Sequence, residues 1–395
     1  MPGSVVIAGA RTPIGKLSGA LASMTAMQLG GIAIKAACER SRVALDQVDY
    51  VFMGQVLQAG QGQITARQAA VAAGIPMTTP ATTVNKVCLS GLNAIYLADQ
   101  MIQAGDADIV VAGGMESMTQ APYLLPGARA GYRMGDAAVI DAMMYDGLFC
   151  AFDHCAMGAG TDHYNREARI SRERQDAFAA LSHERAARAI KEGYFADEIV
   201  PVAVPQRKGE PVMFDTDEGV RPDTTVESLA KLKPAFDKDG TITAGNASQI
   251  SDGAAAVVLA SKRAAESLGV APLGEVVGYG QVAGPDASLL LQPSNAIRKA
   301  LEKSGLSLGQ IDLFEINEAF AVVGLASMDD LGIDESIVNP NGGAIALGHP
   351  IGMSGTRLAL TLLMELRRRG GDLGAAALCG GGGQGDALIL RCLPQ

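Results

Sequence analysis

The chain has 395 residues, of which 48% are hydrophobic and 19% are charged, as in folded globular proteins and unlike intrinsically disordered chains. This length is sufficient for two or three domains. The formal net charge of −10 argues against a nucleic-acid-binding protein, although a local basic patch would still suffice for a phosphorylated ligand.

Targeting segments and cysteine usage both point to the cytoplasm. We find neither a signal peptide nor an uninterrupted apolar run of about 18 residues, so no membrane span is expected. Six cysteines are scattered along the chain, a pattern typical of free thiols in a reducing compartment. The protein is therefore predicted to be cytoplasmic.

The first predicted helix recurs later in the chain. Residues 33–49 read AIKAACERSRVALDQVD, residues 296–312 read AIRKALEKSGLSLGQID, and eight of the 17 aligned positions are identical. Both copies have helical spacing of apolar residues and both run into a predicted strand. Fainter echoes follow in the same order, with 90–98 matching 354–362 and 108–114 matching 374–380. Two copies of one βαβ-rich half are expected, the alternative being chance similarity between amphipathic helices.

The stretch 119–249 has no counterpart in the other half and is predicted to be an insertion. It contains a charged helix, SRERQDAFAALSHERAARAIKEG, and a turn-rich hairpin region. Residues 251–269 return to strand-then-helix character and are expected to complete the first half. Near-matches to a P-loop (ARTPIGKL) and to a metal site (CAFDHC) lack the required residues, so no metal site is predicted.

Cys88 stands where the segment VNKVCLSGLNAIYLADQ turns into a helix. A thiol at a helix N-terminus meets unpaired N–H groups and the positive end of the helix dipole, which is expected to lower its pKa. The small residues Ser90 and Gly91 leave room for an incoming group. This stretch alone also allows an inert, buried cysteine.

Asn317 follows an apolar strand in the segment FEINEAF. Its amide could donate a hydrogen bond to a developing oxyanion, directly or through water. The alternative is a simple turn at a strand end, where asparagine is common for its own reasons.

His349 lies in the glycine-rich loop NPNGGAIALGHPIGMSG, where Pro350 restricts the backbone. It is one of four histidines, the others being His154, His163 and His183. His183 lies in the charged helix and is predicted to face solvent. His349 is therefore the candidate base, although a lone histidine is usually structural.

Cys379 ends an apolar strand and is followed by four glycines in ALCGGGGQG. The glycines would let backbone N–H groups approach a reacting oxygen. Two thiols, one histidine and several backbone donors between the two halves fit acyl transfer through a thioester.

With these motifs, VNKVCLSG, NEAF, GGAIALGHPIGMSG and CGGGGQG in this order, the whole chain resembles the thiolase family, and within it the biosynthetic acetyl-CoA acetyltransferases. The resemblance implies an α/β fold of two duplicated βαβαβαββ halves in a five-layer αβαβα arrangement. The implied domains are an N-terminal half at 1–118 plus 250–270, a loop domain at 119–249 and a C-terminal half at 271–395.

The resemblance also implies catalytic roles. Cys88 would be the nucleophile that carries the acyl group, and His349 the base that activates it. Cys379 would move the proton on the α-carbon of the second acetyl-CoA. Asn317 would hold the water of one oxyanion hole, and the N–H groups of Cys88 and Gly381 would form the other.

Coenzyme A is implied as a substrate and product, with no metal or other cofactor. The positions that match the family's CoA contacts are Arg221, Ser228, Ala244, Gly245, Ser248, Leu148, Met157, Ala319 and Phe320. Two positions depart from the family pattern: Ala156 stands where histidine is frequent, and Leu289 where a methionine is expected near the acyl pocket.

The activity implied is reversible condensation of two acetyl-CoA molecules to acetoacetyl-CoA. The alternatives are a 3-ketoacyl-CoA thiolase of fatty-acid degradation, a decarboxylating condensing enzyme on a related fold, and a non-catalytic acyl-CoA-binding protein. The segment APYLLPGARAGYRMG resembles the family's tetramerisation loop, which implies a homotetramer built from dimers.

Overall fold

The computed structural model describes residues 4–394. The strands are β1 (Val5–Arg11), β2 (Gly15–Lys16), β3 (Tyr50–Gly54), β4 (Ala81–Val84), β5 (Ile109–Ser117), β6 (Tyr123–Leu124), β7 (Ile140–Asp141), β8 (Phe149–Cys150), β9 (Cys155–Ala156), β10 (Val202–Val204), β11 (Val212–Phe214), β12 (Ser251–Ala260), β13 (Gly274–Ala283), β14 (Leu313–Ile316), β15 (Leu373–Gly380) and β16 (Gln384–Cys392). The helices are α1 (Ala26–Ser41), α2 (Thr65–Ala73), α3 (Ser90–Ala104), α4 (Met157–Ala168), α5 (Arg172–Lys191), α6 (Val226–Leu229), α7 (Lys262–Leu268), α8 (Gln292–Ser304), α9 (Ala321–Leu331), α10 (Ala344–Leu347) and α11 (Ser354–Arg369).

One large mixed sheet runs through the molecule in the order β14-β15-β16-β13-β1-β12-β5-β3-β4, with β2 paired to β12. It has two arms that share the order and directions of four strands, and β4 is a further strand at the edge of the first arm. In the first arm β3 and β5 are parallel and β12 is antiparallel to β5; in the second β14 and β15 are parallel and β16 is antiparallel to β15. The arms join where β1 pairs with β13 at Val5–Glu275 and Val6–Gly274.

The repeated sequence forms a repeated structure. The first copy lies in α1 and a 3₁₀ turn at Leu45–Gln47 that leads into β3, and the second lies in α8 and a 3₁₀ turn at Leu308–Gln310 that leads into β14. The predicted duplication is therefore confirmed, and chance similarity is excluded.

Three helical layers alternate with the two arms of the sheet. α1 and α2 cover one face of the first arm, while α8 and α9 cover the outer face of the second. Between the arms lie α3 and α11, whose apolar side chains pack against residues such as Val110 and Leu388. Neighbouring residues of one strand, Val110 and Val111, therefore serve different cores because strand side chains alternate between faces. The result is the predicted five-layer arrangement.

Residues 119–249 add short two-stranded pairs and α4 to α6 to this framework, before β12 returns to the large sheet between β1 and β5. Within residues 4–394, no helix is both long enough and apolar enough to cross a membrane. The domain limits given above stay a prediction.

Candidate active site

Cys88 lies in a tight turn between β4 and α3, two residues before the helix begins. The N–H of Leu89 donates to the Lys86 carbonyl at 3.2 Å, and the N–H of Ser90 donates to the Val87 carbonyl at 3.1 Å. The side chain of Cys88 is buried among apolar residues that include Leu57, Met118 and Ile351. The sequence therefore places this thiol correctly at a helix entrance.

The pKa of Cys88 is nevertheless opposite to the prediction. Burial raises it to about 12, and the nearby Glu116 carboxylate adds to the effect. The helix N-terminus does not offset the loss of water around a thiolate. Cys88 at rest is therefore a thiol, and a base would have to remove its proton before it could attack a carbonyl carbon.

Cys379 is the penultimate residue of β15 and is also buried. Burial, together with the neighbouring Cys88, raises its pKa. The two thiols are 291 positions apart in the chain (379 − 88), but the residues that follow them, Leu89 and Gly380, are in contact. Both are protonated at neutral pH.

The glycines after Cys379 pack directly against the turn that carries Cys88. A Cβ atom on Gly380 would lie 2.5 Å from Cγ of Leu89, and one on Gly381 would lie 3.3 Å from Cγ2 of Val87. Larger side chains at Gly380 would push the two segments apart. The glycine backbone that follows Cys379 thus lies directly against the turn that carries Cys88.

His349 is held in one tautomer by its neighbours. Its Nδ1 lies 2.6 Å from Oγ of Ser354, whose single hydroxyl proton is donated to the Pro350 carbonyl at 3.0 Å. With the Ser354 proton on that carbonyl, Nδ1 carries a proton and donates to Oγ, and Nε2 is left as an acceptor. Nε2 faces Nδ2 of Asn317 at 3.4 Å. The ring is thus set to receive a proton at Nε2.

Burial, and secondarily the charge of Arg357, lower the pKa of His349 to about 3. The imidazole is therefore neutral at physiological pH. Oδ1 of Asn317 is buried and has no hydrogen-bond partner among residues 4–394, so the Asn317–His349 pair retains acceptor capacity for a further polar group.

A cavity of about 450 Å³ leads from the surface to His349. Six of the nine residues predicted to bind CoA line it: Arg221, Ala244, Ser248, Leu148, Met157 and Phe320. Ala156 also lines it. Two exposed cations, Arg221 and Lys16, belong to the lining, so a largely apolar channel carries positive charge where it meets solvent.

The other three predicted residues do not belong to this lining. Ala319 and Gly245 are buried behind the wall, where the Ala319 carbonyl accepts from the N–H of Ser248 at 3.0 Å. The hydroxyl of Ser228 is engaged at the start of α6, where it donates to the Thr225 carbonyl at 2.7 Å. The departure at Leu289 lies in a small neighbouring pocket that also contains Met157.

The prediction that His183 faces solvent is wrong. Its side chain is buried, and its Nδ1 accepts from the N–H of Arg221 at 3.1 Å. Burial lowers its pKa to about 4. Helix α5 packs against α9 and α10, and His183 lies where the helix meets the segment that carries Arg221. This position of the charged helix is therefore turned away from solvent.

Sequence reasoning missed three residues that hold the site. Ser354 fixes the His349 ring, and the Gln249 carbonyl accepts from the N–H of His349 at 3.0 Å. The buried Glu116 accepts from the N–H groups of Val56 and Gly352, at 3.0 Å each. Only Glu116 had a signal in the sequence, as the one charged residue in the largely apolar strand IVVAGGMES.

Comparison with known proteins agrees with this geometry. The sequence-family model of the thiolase N-terminal domain matches residues 4–263, and the family model of the thiolase C-terminal domain matches residues 270–392. A probable acetyl-CoA acetyltransferase of Mycolicibacterium smegmatis is 58% identical over 387 residues, covering 98% of this chain and 100% of that protein. An acetyl-CoA acetyltransferase of Pseudomonas aeruginosa is 52% identical over 386 residues, or 98% of each chain.

The structural comparison agrees as well. The crystal structure of the Bacillus anthracis acetyl-CoA acetyltransferase superposes with a TM-score of 0.97 at 42% identity, covering 100% of this chain and 99% of that one. With both family models matched and relatives of this identity along its whole length, the chain belongs to the thiolase family and has its fold, as the sequence predicts.

Proposed function

We propose that the protein is an acetyl-CoA C-acetyltransferase, which condenses two acetyl-CoA molecules reversibly to acetoacetyl-CoA and CoA. The observation that carries the proposal is that two buried thiols lie on contacting segments, with Gly380 against Leu89, next to the cavity that reaches a neutral His349. Ile351 connects the two features, because it packs with Cys88 and lines that cavity. Acetyl-CoA acetyltransferases are also the curated relatives at 52–58% identity.

In the first half-reaction, Nε2 of His349 takes the proton of the Cys88 thiol, and the thiolate attacks the acetyl carbonyl of acetyl-CoA. Backbone N–H groups of Cys88 and Gly381 would stabilise the oxyanion of the tetrahedral intermediate. When this collapses, the CoA thiolate leaves and takes the proton of Cys379. Cys88 is then acetylated, Cys379 is a thiolate and His349 is protonated.

In the second half-reaction, the Cys379 thiolate removes a proton from the α-carbon of a second acetyl-CoA. Imidazolium and the Asn317 amide would stabilise the enolate oxygen, with a water held at Asn317. The enolate carbon attacks the acetyl group on Cys88, forming the carbon–carbon bond. The Cys88 thiolate leaves and recovers its proton from His349, so both thiols and the neutral histidine are restored.

The cavity fits the remainder of the substrate. Its apolar lining suits the pantetheine arm, and Arg221 and Lys16 suit the phosphates. Ser228, Gly245 and Ala319 remain proposed contacts, although the first is engaged in a helix cap and the other two support the wall from behind. CoA is thus the substrate and product, and we propose no metal or other cofactor.

We further propose a cytoplasmic homotetramer that serves lipid metabolism. All six cysteines are unpaired, as expected in a reducing compartment. The segment 123–139 exposes Tyr123, Leu125, Tyr132, Met134 and Val139 to solvent, which supports burial of this segment against another copy of the chain.

The proposed function is tested by mass spectrometry of the intact protein and its peptides after mixing with acetyl-CoA. The wild type should gain one acetyl group on the Cys88 peptide, removable by free CoA. Cys88→Ala should gain none. Cys379→Ala should still be acetylated at Cys88 but form no acetoacetyl-CoA.

The contrary outcomes are distinct. Acylation of Cys88 by a longer 3-ketoacyl-CoA with CoA, but not by acetyl-CoA, would favour the degradative thiolase. Equal loss of acyl-enzyme in both variants would overturn the roles given to the two thiols. A wild type that no acyl-CoA modifies would favour the alternative of a non-catalytic acyl-CoA-binding protein.

A further inference from the structure

A buried ion pair joins the two segments that carry the thiols. Nζ of Lys86 lies 2.7 Å from Oδ1 and 2.9 Å from Oδ2 of Asp386. The Asp386 side chain is fully buried, and that of Lys86 is 19% exposed. With its carboxylate fully shielded from water, this ion pair differs from an ordinary surface salt bridge, because the surrounding packing fixes its geometry.

The positions of the two partners connect them to the chemistry. Lys86 lies two residues before Cys88, in the turn that enters α3. Asp386 lies in β16 directly opposite Leu378 of β15, the residue before Cys379. The pair therefore ties the nucleophile turn of the first half to the strand pair that holds the second thiol, across 300 residues of chain.

Asp386 is itself anchored. The Tyr279 hydroxyl of β13 donates to its carboxylate, and Nδ2 of Asn93 in α3 donates to the Tyr279 oxygen at 3.1 Å. Through these contacts the carboxylate is fixed both to the second arm and to the helix that Cys88 precedes. Lys86 thus meets a rigid partner rather than a mobile one.

The turn between Lys86 and Cys88 is strained. Val87 has a φ of 51°, in the left-handed region that β-branched residues rarely occupy. Such a conformation persists only where the surroundings hold it. Here the Lys86 side chain is held by Asp386, and its N–H donates to Oγ of Ser90 at 2.8 Å. The strained residue is therefore clamped immediately before the nucleophile.

We propose that the Lys86–Asp386 ion pair is a positioning device that sets Cys88 relative to Cys379 and His349. The inference rests on the proposed thiolase reaction for its catalytic consequence. Neither partner touches the reacting atoms; both act through the turn at Val87. Removing the ion pair lets the turn at Val87 relax, which moves the Cys88 thiol out of alignment with His349.

The test compares Lys86→Met and Asp386→Asn with a matched control, Arg391→Met. Arg391 lies on the same strand and forms an ion pair with Glu275 at 2.9 Å, away from the thiols. Because Asp386→Asn keeps the shape of the side chain, the test does not depend on correct folding of Lys86→Met. Folding of all three is checked by circular dichroism.

The first measurement is alkylation of Cys88 by iodoacetamide, relative to Cys155 in the same sample. The second is the rate and half-saturating concentration for acetylation by acetyl-CoA. We expect Cys88 alkylation to fall about tenfold and the acetylation rate to fall about 10–100-fold in Lys86→Met, as for a nucleophile displaced by roughly 1 Å. In Asp386→Asn, the alkylation and acetylation rates should also fall. In both variants the half-saturating concentration of acetyl-CoA should change less than about threefold, because the substitutions leave the cavity untouched.

Rates within twofold of the wild type in both variants would overturn the proposal, and so would an equal loss in Arg391→Met. A wild type that is not acetylated at all would refute the proposed function. The alkylation ratio would then still decide the positioning role, because it requires no acyl-CoA.

Discussion

At the scale of single residues, the site depends on keeping three titratable groups neutral. Burial raises the pKa values of both thiols and lowers that of His349. In the proposed reaction, each charge therefore exists only while the reaction creates it, when fixed donors stabilise it in a site shielded from water. This differs from activation by a helix dipole, which would leave a resting thiolate exposed to oxidation and alkylation.

The neutral His349 has a consequence for stability at acid pH. An unfolded histidine binds a proton below about pH 6.5, whereas folded His349 does so only near its pKa of about 3. Because the unfolded state then binds more protons, the free energy of unfolding falls as the pH falls from about 6.5 towards 3. For one group the slope is at most about 1.4 kcal/mol per pH unit.

We therefore predict that His349→Asn loses less stability than the wild type between pH 7 and pH 5. Urea unfolding at three pH values measures the difference, with the exposed His163 changed to Asn as the control. Parallel pH dependences for the wild type and His349→Asn would contradict the neutral, buried state of this histidine.

At the scale of secondary-structure elements, the residues proposed for catalysis lie at strand ends and in loops, and a buried carboxylate holds one of these loops in place. Glu318 follows β14 and accepts from Oγ of Ser182 at 2.6 Å, Nδ2 of Asn339 at 2.9 Å and the N–H of Ile345 at 3.1 Å. These bonds fix the glycine-rich loop whose far end holds His349.

Glu318→Gln should loosen that loop. All three partners of the carboxylate are donors, so a glutamine NH₂ would face a donor and leave it unpaired. We expect a loss of about 1–3 kcal/mol in the free energy of unfolding, together with a lower kcat. The control is Glu302→Gln, an exposed residue paired with Lys299 at 2.7 Å. Unchanged unfolding of Glu318→Gln relative to this control would show that the loop is held by other contacts.

At the scale of the whole molecule, the active site exists only because two similar halves pack together. Cys88 comes from the first half, while Asn317, His349 and Cys379 come from the second. Helices α3 and α11 pack against each other between the arms, and Cys88 and His349 lie shortly before their respective N-termini. The insertion supplies most of the cavity wall, including Leu148, Met157 and Arg221.

The proposed tetramer is a prediction at the same scale. Met134 is 99% exposed at the centre of the apolar segment 123–139. We predict that Met134→Asp halves the mass measured by light scattering, because a buried, unpaired charge opposes association. Met213→Asp, on an exposed methionine outside the segment, should leave the mass unchanged. A wild type that is already dimeric would refute the tetramer.

The sequence by itself determined the duplicated α/β architecture and pointed to the four residues that we propose for the centre of the site. These are local signals: helical periodicity recurs at a constant offset, and each of Cys88, Asn317, His349 and Cys379 stands at a junction of strand, turn and helix. Such junctions are recognisable because glycine, proline and apolar runs mark them along the chain.

Only the tertiary structure decided how those residues behave. The burial that keeps Cys88 protonated, the inward turn of His183 and the Ser354 contact that sets the His349 tautomer all depend on neighbours brought together by folding. The Lys86–Asp386 pair spans 300 residues. Protonation states and long-range pairs depend on distance and dielectric environment, which packing creates and sequence spacing does not encode.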